Sequence, residues 1–151
     1  MGEIRSLALL FGTLLFLGCE RMDTVETGYP DFESAVKAEA IGDGKWIPAF
    51  LPTSATSIRE LHNLDTNEEW LFFRFNATDL AALRSACQPL AGDDTVFPRK
   101  PPGNWWPADL TRDTVKREQP EGKYEYYACK GNSGMVIDRR RNEAYYWTWI
   151  R

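Results

Sequence analysis

The chain has 151 residues, which is enough for one domain with a short leader. Hydrophobic residues make up 43%, charged residues 26% and aromatic residues 13%, a composition typical of a folded globular domain. The formal net charge of −4 argues against a nucleic-acid partner, because phosphate binding needs clustered Lys and Arg side chains. One His and three Cys exclude most zinc sites, and the absence of a glycine-rich phosphate loop leaves no cofactor or metal to expect.

The first eighteen residues have the organisation of a secretory signal peptide. Residues 7–17 form an uncharged, mainly apolar run that follows a short polar stretch containing Glu3 and Arg5. This run is too short for a helix that crosses a bilayer, which needs roughly 20 residues. It suits the hydrophobic region of a signal peptide, and a polar chain begins directly after it.

The sequence Phe16-Leu17-Gly18-Cys19, where the apolar run ends, resembles the lipobox of bacterial lipoproteins. In that motif a leucine-like residue, a small or branched residue and a Gly, Ala or Ser precede the Cys that becomes the lipid-bearing N-terminus. Gly18 and Cys19 match the motif, whereas Phe16 and Leu17 are bulkier than the usual residues. The resemblance implies a signal peptide over residues 1–18 and acylation of Cys19, palmitate included.

The same resemblance implies a place in the bacterial cell envelope. Glu20 follows the Cys instead of the Asp that retains lipoproteins in the inner membrane, so we expect an outer-membrane anchor with the protein on the periplasmic face. Several acyl chains hold a protein firmly, whereas one chain alone binds marginally. The alternatives are an ordinary cysteine after a simple signal peptide, a buried core helix over residues 7–17, and N-myristoylation at Gly2.

The remaining sequence predicts one α+β domain over residues 29–151, joined to the lipid by a polar tether at residues 19–28. A helix is predicted after Asp31, which can cap it, and Gly42 is expected to end it. Two prolines in residues 46–52 favour an extended segment along the domain surface over a central strand.

Stretches with the residue types of strands, separated by turn residues, predict five strands, at residues 58–64, 69–76, 123–129, 135–139 and 143–150. A second helix over residues 78–87 is expected to end at Pro89, and residues 89–122 predict a long proline-rich loop. The expected architecture is an antiparallel sheet of about five strands with two helices on one face. Residues 46–48 and 50–55 are loosely similar to small bacterial lipoproteins without an assigned function.

Cys87 and Cys129 are the two cysteines outside the lipobox. Export would place them in an oxidising compartment, where two cysteines more often form a disulfide than stay free. Closing the loop between them is worth roughly 4 kcal/mol in the chain-entropy model. We predict this disulfide, with two free buried thiols or a catalytic thiol as the alternatives. Their wide spacing does not match a Cys-x-x-Cys redox motif.

His62 is the only histidine, and nothing near it in the sequence resembles the nucleophile of a hydrolase. We therefore expect a partly exposed histidine within a strand, and we predict no catalytic residue. Acidic pairs such as Glu68-Glu69 and Asp93-Asp94 fall in predicted turns, where solvated charge is the simpler interpretation, because carboxylate catalysis depends on a separation in space that the sequence does not give.

Aromatic residues are concentrated near the C-terminus, where seven of the 26 residues from 124 to 149 are Tyr or Trp. Strand alternation puts three of them on one face, and a further pair lies in the proline-rich loop. Because Tyr and Trp are frequent at binding surfaces, these five residues form a candidate binding surface: Tyr145, Trp147, Trp149, Trp105 and Trp106. The alternative is that one stripe is core with the loop folded over it.

Charge is uneven along the chain. Residues 19–98 hold 14 acidic and 6 basic side chains, a net charge of −8, whereas residues 99–151 hold 7 acidic and 11 basic side chains, a net charge of +4. This asymmetry and the aromatic surface favour a binding protein over an enzyme, which needs convergent titrating or nucleophilic groups.

We therefore predict a non-catalytic, membrane-anchored periplasmic lipoprotein that binds a protein or a cell-envelope component. An immunity or inhibitor protein is a sharper hypothesis of the same kind. A small envelope hydrolase using paired carboxylates is the alternative.

Overall fold

A single antiparallel sheet of seven strands organises the part of the chain that this computed structural model describes, namely residues 23–91, 96–101, 103–112 and 122–149. The strands are β1 (Thr24–Asp31), β2 (Thr56–Asn63), β3 (Glu69–Arg74), β4 (Gln88–Leu90), β5 (Glu125–Cys129), β6 (Ser133–Asp138) and β7 (Glu143–Thr148). Two short helices, α1 (Phe32–Lys37) and α2 (Leu80–Ala86), complete a mixed α+β fold. In the described ranges no helix is both long and apolar enough to span a membrane.

The strand order across the sheet is β1-β2-β3-β7-β6-β5-β4, with every neighbouring pair antiparallel. The central pair, β3 with β7, joins strands from the two halves of the chain, and Trp70 lies opposite Trp147 within it. Because β3 and β7 are paired, the strands from the N-terminal half and those from the C-terminal half form one continuous sheet.

The sheet has seven strands where about five were predicted, because both edge strands lack a clear apolar alternation. β1 begins at Thr24, inside the residues expected to form a tether, so the folded domain starts earlier than residue 29. Its side chains are mostly exposed, since an edge strand has only one neighbour. β4 contains Pro89, which we expected only to end a helix; proline is tolerated at a sheet edge because no neighbouring strand needs its missing N–H.

One face of the sheet, which we call the helix-side face, carries both helices. Ala35 of α1 and Leu83 of α2 are buried in one apolar cluster with side chains of β2, β3, β6 and β7. Residues 46–52 also pack here and contribute Ile47 and Leu51, which are buried. This extended segment is therefore part of the core, although its prolines had suggested a position on the surface.

The opposite face, which we call the loop-side face, is covered by residues 96–101 and 103–112 of the proline-rich loop. Buried side chains of the loop pack there against buried side chains of the sheet, namely Phe97, Trp106 and Leu110 against Leu61, Trp70, Val136, Tyr145 and Trp147. Indole N–H groups fix the loop, since Trp147 donates to the Val96 carbonyl at 2.9 Å and Trp70 to the Arg99 carbonyl at 3.0 Å. The loop is thus a structured layer over the sheet.

Cys87 and Cys129 form a disulfide, which confirms the predicted pair and excludes the two alternatives with free thiols. Their Cα atoms are 4.5 Å apart across 42 residues of sequence, a separation within the usual range for a disulfide. The bond joins the residue after α2 to the last residue of β5. It therefore holds the far edge of the sheet together, where β4 is only three residues long.

Candidate functional site

A cleft of about 330 Å³ opens on the helix-side face near the β1 edge of the sheet. Strands β1 and β2 and the segment after α1 line it with Thr27, Tyr29, Glu60, His62, Ala38, Glu39, Ala40, Gly44, Lys45, Trp46 and Ile47. Its volume lies at the lower end of the range for small-molecule sites, about 300–1,000 Å³. The cleft is large enough for one small chemical group or side chain.

Strand alternation brings the polar side chains of β2 into the cleft. Ile58 is fully buried in the apolar cluster, and Glu60 and His62 follow it at steps of two residues, so all three point to the helix-side face. In the register with β1, Thr27 lies opposite Glu60 and Tyr29 opposite Ile58. The face thus changes from apolar to polar along β2, and the cleft lies at the polar end.

Glu60 and His62 form a buried hydrogen-bonded pair. Glu60 Oε1 is 2.7 Å from His62 Nδ1, and the two residues are 3% and 6% exposed. Trp46 lies flat on the imidazole, with ring centroids 3.9 Å apart and an angle of 8° between the planes. The prediction of a partly exposed histidine is therefore wrong, because Trp46 reaches the ring from sixteen residues earlier in the chain and covers it.

Burial shifts the pKa values of both members of this pair. It raises the pKa of Glu60 to about 8 and lowers the pKa of His62. The cause is the same for both, because a charged group loses hydration when it leaves water. Both shifts favour the uncharged form of each group, and in that state the Glu60 carboxyl would donate its O–H to Nδ1 of the imidazole.

A second buried carboxyl lies beside this pair. Glu69 of β3 is opposite His62 in the register of β2 and β3, is 5% exposed, and its Oε1 has no hydrogen-bond partner. Burial, followed by the negative charge of Glu60, raises the pKa of Glu69 well above its ordinary value. Among the residues that the structure describes, no group of three or more His, Cys, Asp and Glu side chains is arranged to hold a metal ion.

The expectation of solvated charge at Glu68-Glu69 is therefore wrong. Both residues are buried, and Glu68 accepts hydrogen bonds from the guanidinium of Arg99, including one from Arg99 Nε at 2.9 Å. The loop that supplies Arg99 is distant in sequence, so the spacing of the acidic residues did not indicate this burial. The pair Asp93-Asp94 lies outside the described residues.

Most of the predicted aromatic binding surface lies in the core. Trp106, Tyr145 and Trp147 are at most 7% exposed and pack together under the loop. Trp105 and Trp149 are half-buried at the margin of this cluster, and the guanidinium of Arg59 lies 5.4 Å from the Trp105 ring centroid. Of the five residues, Trp105 and Trp149 keep a surface that a partner can reach without displacing the loop.

Comparison with protein families finds a likeness in the first part of the domain. The family model of the YbbD head domain matches residues 23–74, about a third of the chain. This span runs from the residue before β1 to the end of β3, and it contains every residue that lines the cleft. No curated protein and no solved structure matches the chain.

Proposed function

We propose that this protein is a non-catalytic binding protein of the bacterial cell envelope, whose cleft takes part of a protein or of an envelope component. The observation that carries the proposal is the buried Glu60–His62 pair in a cleft whose lining also includes Trp46 and Tyr29. A small concave site with aromatic side chains and a few oriented polar groups is typical of ligand binding.

The contacts of His62 support binding rather than catalysis. Trp46 covers its ring, no Ser or Cys is among the described residues that line the cleft, and the hydroxyl of Thr27, which lines it, makes no hydrogen bond to His62. A histidine-dependent hydrolase needs a nucleophile within hydrogen-bond reach of the base. The polar groups of this cleft are arranged to bind and orient a group.

The lipid anchor belongs to the same proposal. The lipobox resemblance assigns the lipid to Cys19 and the protein to the periplasmic face of the outer membrane. Since β1 begins at Thr24, only the four residues 20–23 separate Cys19 from the sheet, a reach of at most about 18 Å. An anchored domain would therefore hold β1 and its cleft close to the membrane surface, where envelope components are concentrated.

One observation favours a hydrolase as the second candidate. Glu60 has a raised pKa of about 8 in a cleft, which is a property of general acids, and Glu69 is a second carboxyl on the neighbouring strand. Such an enzyme would cleave an envelope polymer and would lose its activity in Glu60→Gln.

Photo-crosslinking in intact cells tests the proposal. A photoreactive residue replaces Lys45, which lines the cleft, and Ser85 on α2 serves as the control because that helix packs near the opposite edge of the sheet. We expect a covalent adduct with an envelope component from position 45 and none from position 85. Equal adducts from both positions, or peptidoglycan hydrolysis that Glu60→Gln abolishes, would refute a binding role.

A further inference from the structure

Two buried carboxylates outside the cleft have cationic partners. Glu68 is paired with Arg99, and Glu143 accepts hydrogen bonds from Nε and Nη2 of Arg74, each at 3.2 Å. Pairing with a guanidinium compensates for the hydration that a buried carboxylate loses. A third, Asp138, instead accepts hydrogen bonds from two backbone N–H groups of the turn that follows it.

Glu60 and Glu69 differ from this pattern. In the described part of the chain, neither has a Lys or Arg nitrogen within 4.0 Å, and the basic group in contact with Glu60 is His62, which burial keeps neutral. Oε1 of Glu69 is buried without a hydrogen-bond partner. Glu60 and Glu69 therefore lack the guanidinium partner that Glu68 and Glu143 have.

Aromatic side chains lie in the cleft beside Glu60, which has no Lys or Arg partner among the described residues. Trp46 and Tyr29 line it together with Glu60, and Tyr29 is close enough for the charge of Glu60 to contribute to its raised pKa. Aromatic rings beside a carboxylate are a common arrangement for ammonium recognition, because the ring face attracts a cation. Glu39 and Lys45 also line the cleft, are exposed, and carry opposite charges that offset each other.

We infer that the cleft binds its ligand through a primary ammonium group, with Glu60 as the counter-ion and Trp46 and Tyr29 as the aromatic surface. This inference rests on the proposed binding function. When the ammonium enters, Glu60 passes its proton to Nδ1 of His62 and the imidazole gives up its Nε2 hydrogen to solvent, so that a neutral imidazole donates from Nδ1 to the carboxylate. One proton leaves for each cation bound, so the charge inside the cleft stays balanced.

This exchange makes binding depend on pH. The groups that face Glu60 are Tyr29 from β1, Glu69 from β3, Glu39 and Lys45 from the segment after α1, and His62 on the same strand. Burial raises the pKa of Glu60 to about 8 and that of Glu69 well above its ordinary value, whereas a lysine-type amine stays charged to about pH 10. The apparent affinity should therefore rise about tenfold per pH unit from pH 6 to 8 and then level off.

Calorimetric titration of the full-length protein in detergent micelles tests this inference with Nα-acetyl-lysine amide as the probe. Its Nε-acetylated derivative is the neutral control of similar shape. We expect binding of the amine, release of one proton below pH 8, and at least tenfold weaker binding of the derivative. Glu60→Gln should weaken binding and remove the pH dependence, whereas Glu26→Gln, an exposed glutamate paired with Arg59, should change neither.

Several outcomes would overturn the inference. These are equal binding of the two compounds, an affinity that does not change between pH 6 and 8, or no binding of the amine at any pH. Glycerophosphoethanolamine carries the same ammonium on a lipid head group, so tighter binding of this probe assigns a lipid source and tighter binding of the lysine amide assigns a protein or peptide source. Equal binding supports the ammonium alone.

The crosslinking experiment separates this inference from the proposed function. A crosslinked component that has no amino group refutes the ammonium inference and leaves the binding function intact. Amine binding without any crosslinked component refutes the envelope-binding function and leaves the chemistry of the cleft as inferred.

Discussion

Gly134 of β6 lies opposite Trp147 of β7, and a Cβ atom at this glycine would stand 2.5 Å from Cζ2 of the indole. Trp147 is fully buried and its Nε1 donates to the Val96 carbonyl, so the ring has little freedom to move. We expect Gly134→Ala to lower the free energy of unfolding by about 1–3 kcal/mol, measured by urea denaturation. Gly28→Ala is the control, because its Cβ would be 3.7 Å from the nearest atom; equal losses would contradict the steric explanation.

The buried carboxyls predict that stability falls between pH 6.5 and 8. Glu60 keeps its proton to about pH 8 in the folded chain, whereas the unfolded chain loses it near the ordinary pKa of 4.5, so raising the pH favours unfolding. Burial lowers the pKa of His62, so this residue makes stability rise with pH instead, but only up to about pH 6.5, its ordinary pKa. Across this window Glu60 alone should account for about 2 kcal/mol, and Glu69 should add to the fall.

Urea denaturation at pH 6.5, 7, 7.5 and 8 measures this effect. The double variant Glu60→Gln, Glu69→Gln should show a nearly flat profile, and Glu26→Gln, which changes an exposed carboxylate, should retain the slope of the parent protein. A parent protein whose stability is constant or rises over this range would show that the two carboxyls are ionised in the folded state.

The sequence pattern located the interior of the sheet well. β3, β6 and β7 are short, mainly apolar runs in which nearly every side chain is buried, because both sheet faces are packed by other parts of the chain. The two edge strands were not predicted because their side chains are mainly exposed. β1 has few buried side chains, and β4 has three residues, one of them a proline.

Less of the cleft could be predicted from the sequence. Glu60 and His62 are two residues apart on a predicted strand, so their shared face was open to prediction, but their burial depends on Trp46 from another segment. The burial of Glu68 likewise depends on Arg99 in the loop. A polar residue in a strand looks solvent-exposed until the distant residue that covers it is placed in three dimensions.

Substitutions of three tryptophans should distinguish a core position from positions near the surface. Trp147→Ala should lower the free energy of unfolding by about 3–5 kcal/mol, because it opens a cavity under the loop. Trp105→Ala and Trp149→Ala, at half-buried positions on the margin of the same cluster, should lower it by less. Equal losses in all three variants would contradict the distinction between core and margin.

Acylation of Cys19 is the prediction that tests whether the protein has a lipid anchor. We expect mass spectrometry of the N-terminal peptide from membranes to find Cys19 as the first residue, carrying lipid. Cys19→Ser should release the protein or misdirect it, while a Ser6→Ala control in the leader should not. An unmodified amine on Cys19 would leave the domain without an anchor.

The Cys87–Cys129 bond has a topological consequence for the exposed parts of the loop. Because one cysteine precedes the proline-rich loop and the other follows it, a protease cut anywhere between them leaves both pieces in one covalent molecule. The pairing of β3 with β7 would also keep those pieces side by side, since it joins residues from either side of the cut. The domain therefore remains one molecule after a single cut in this segment.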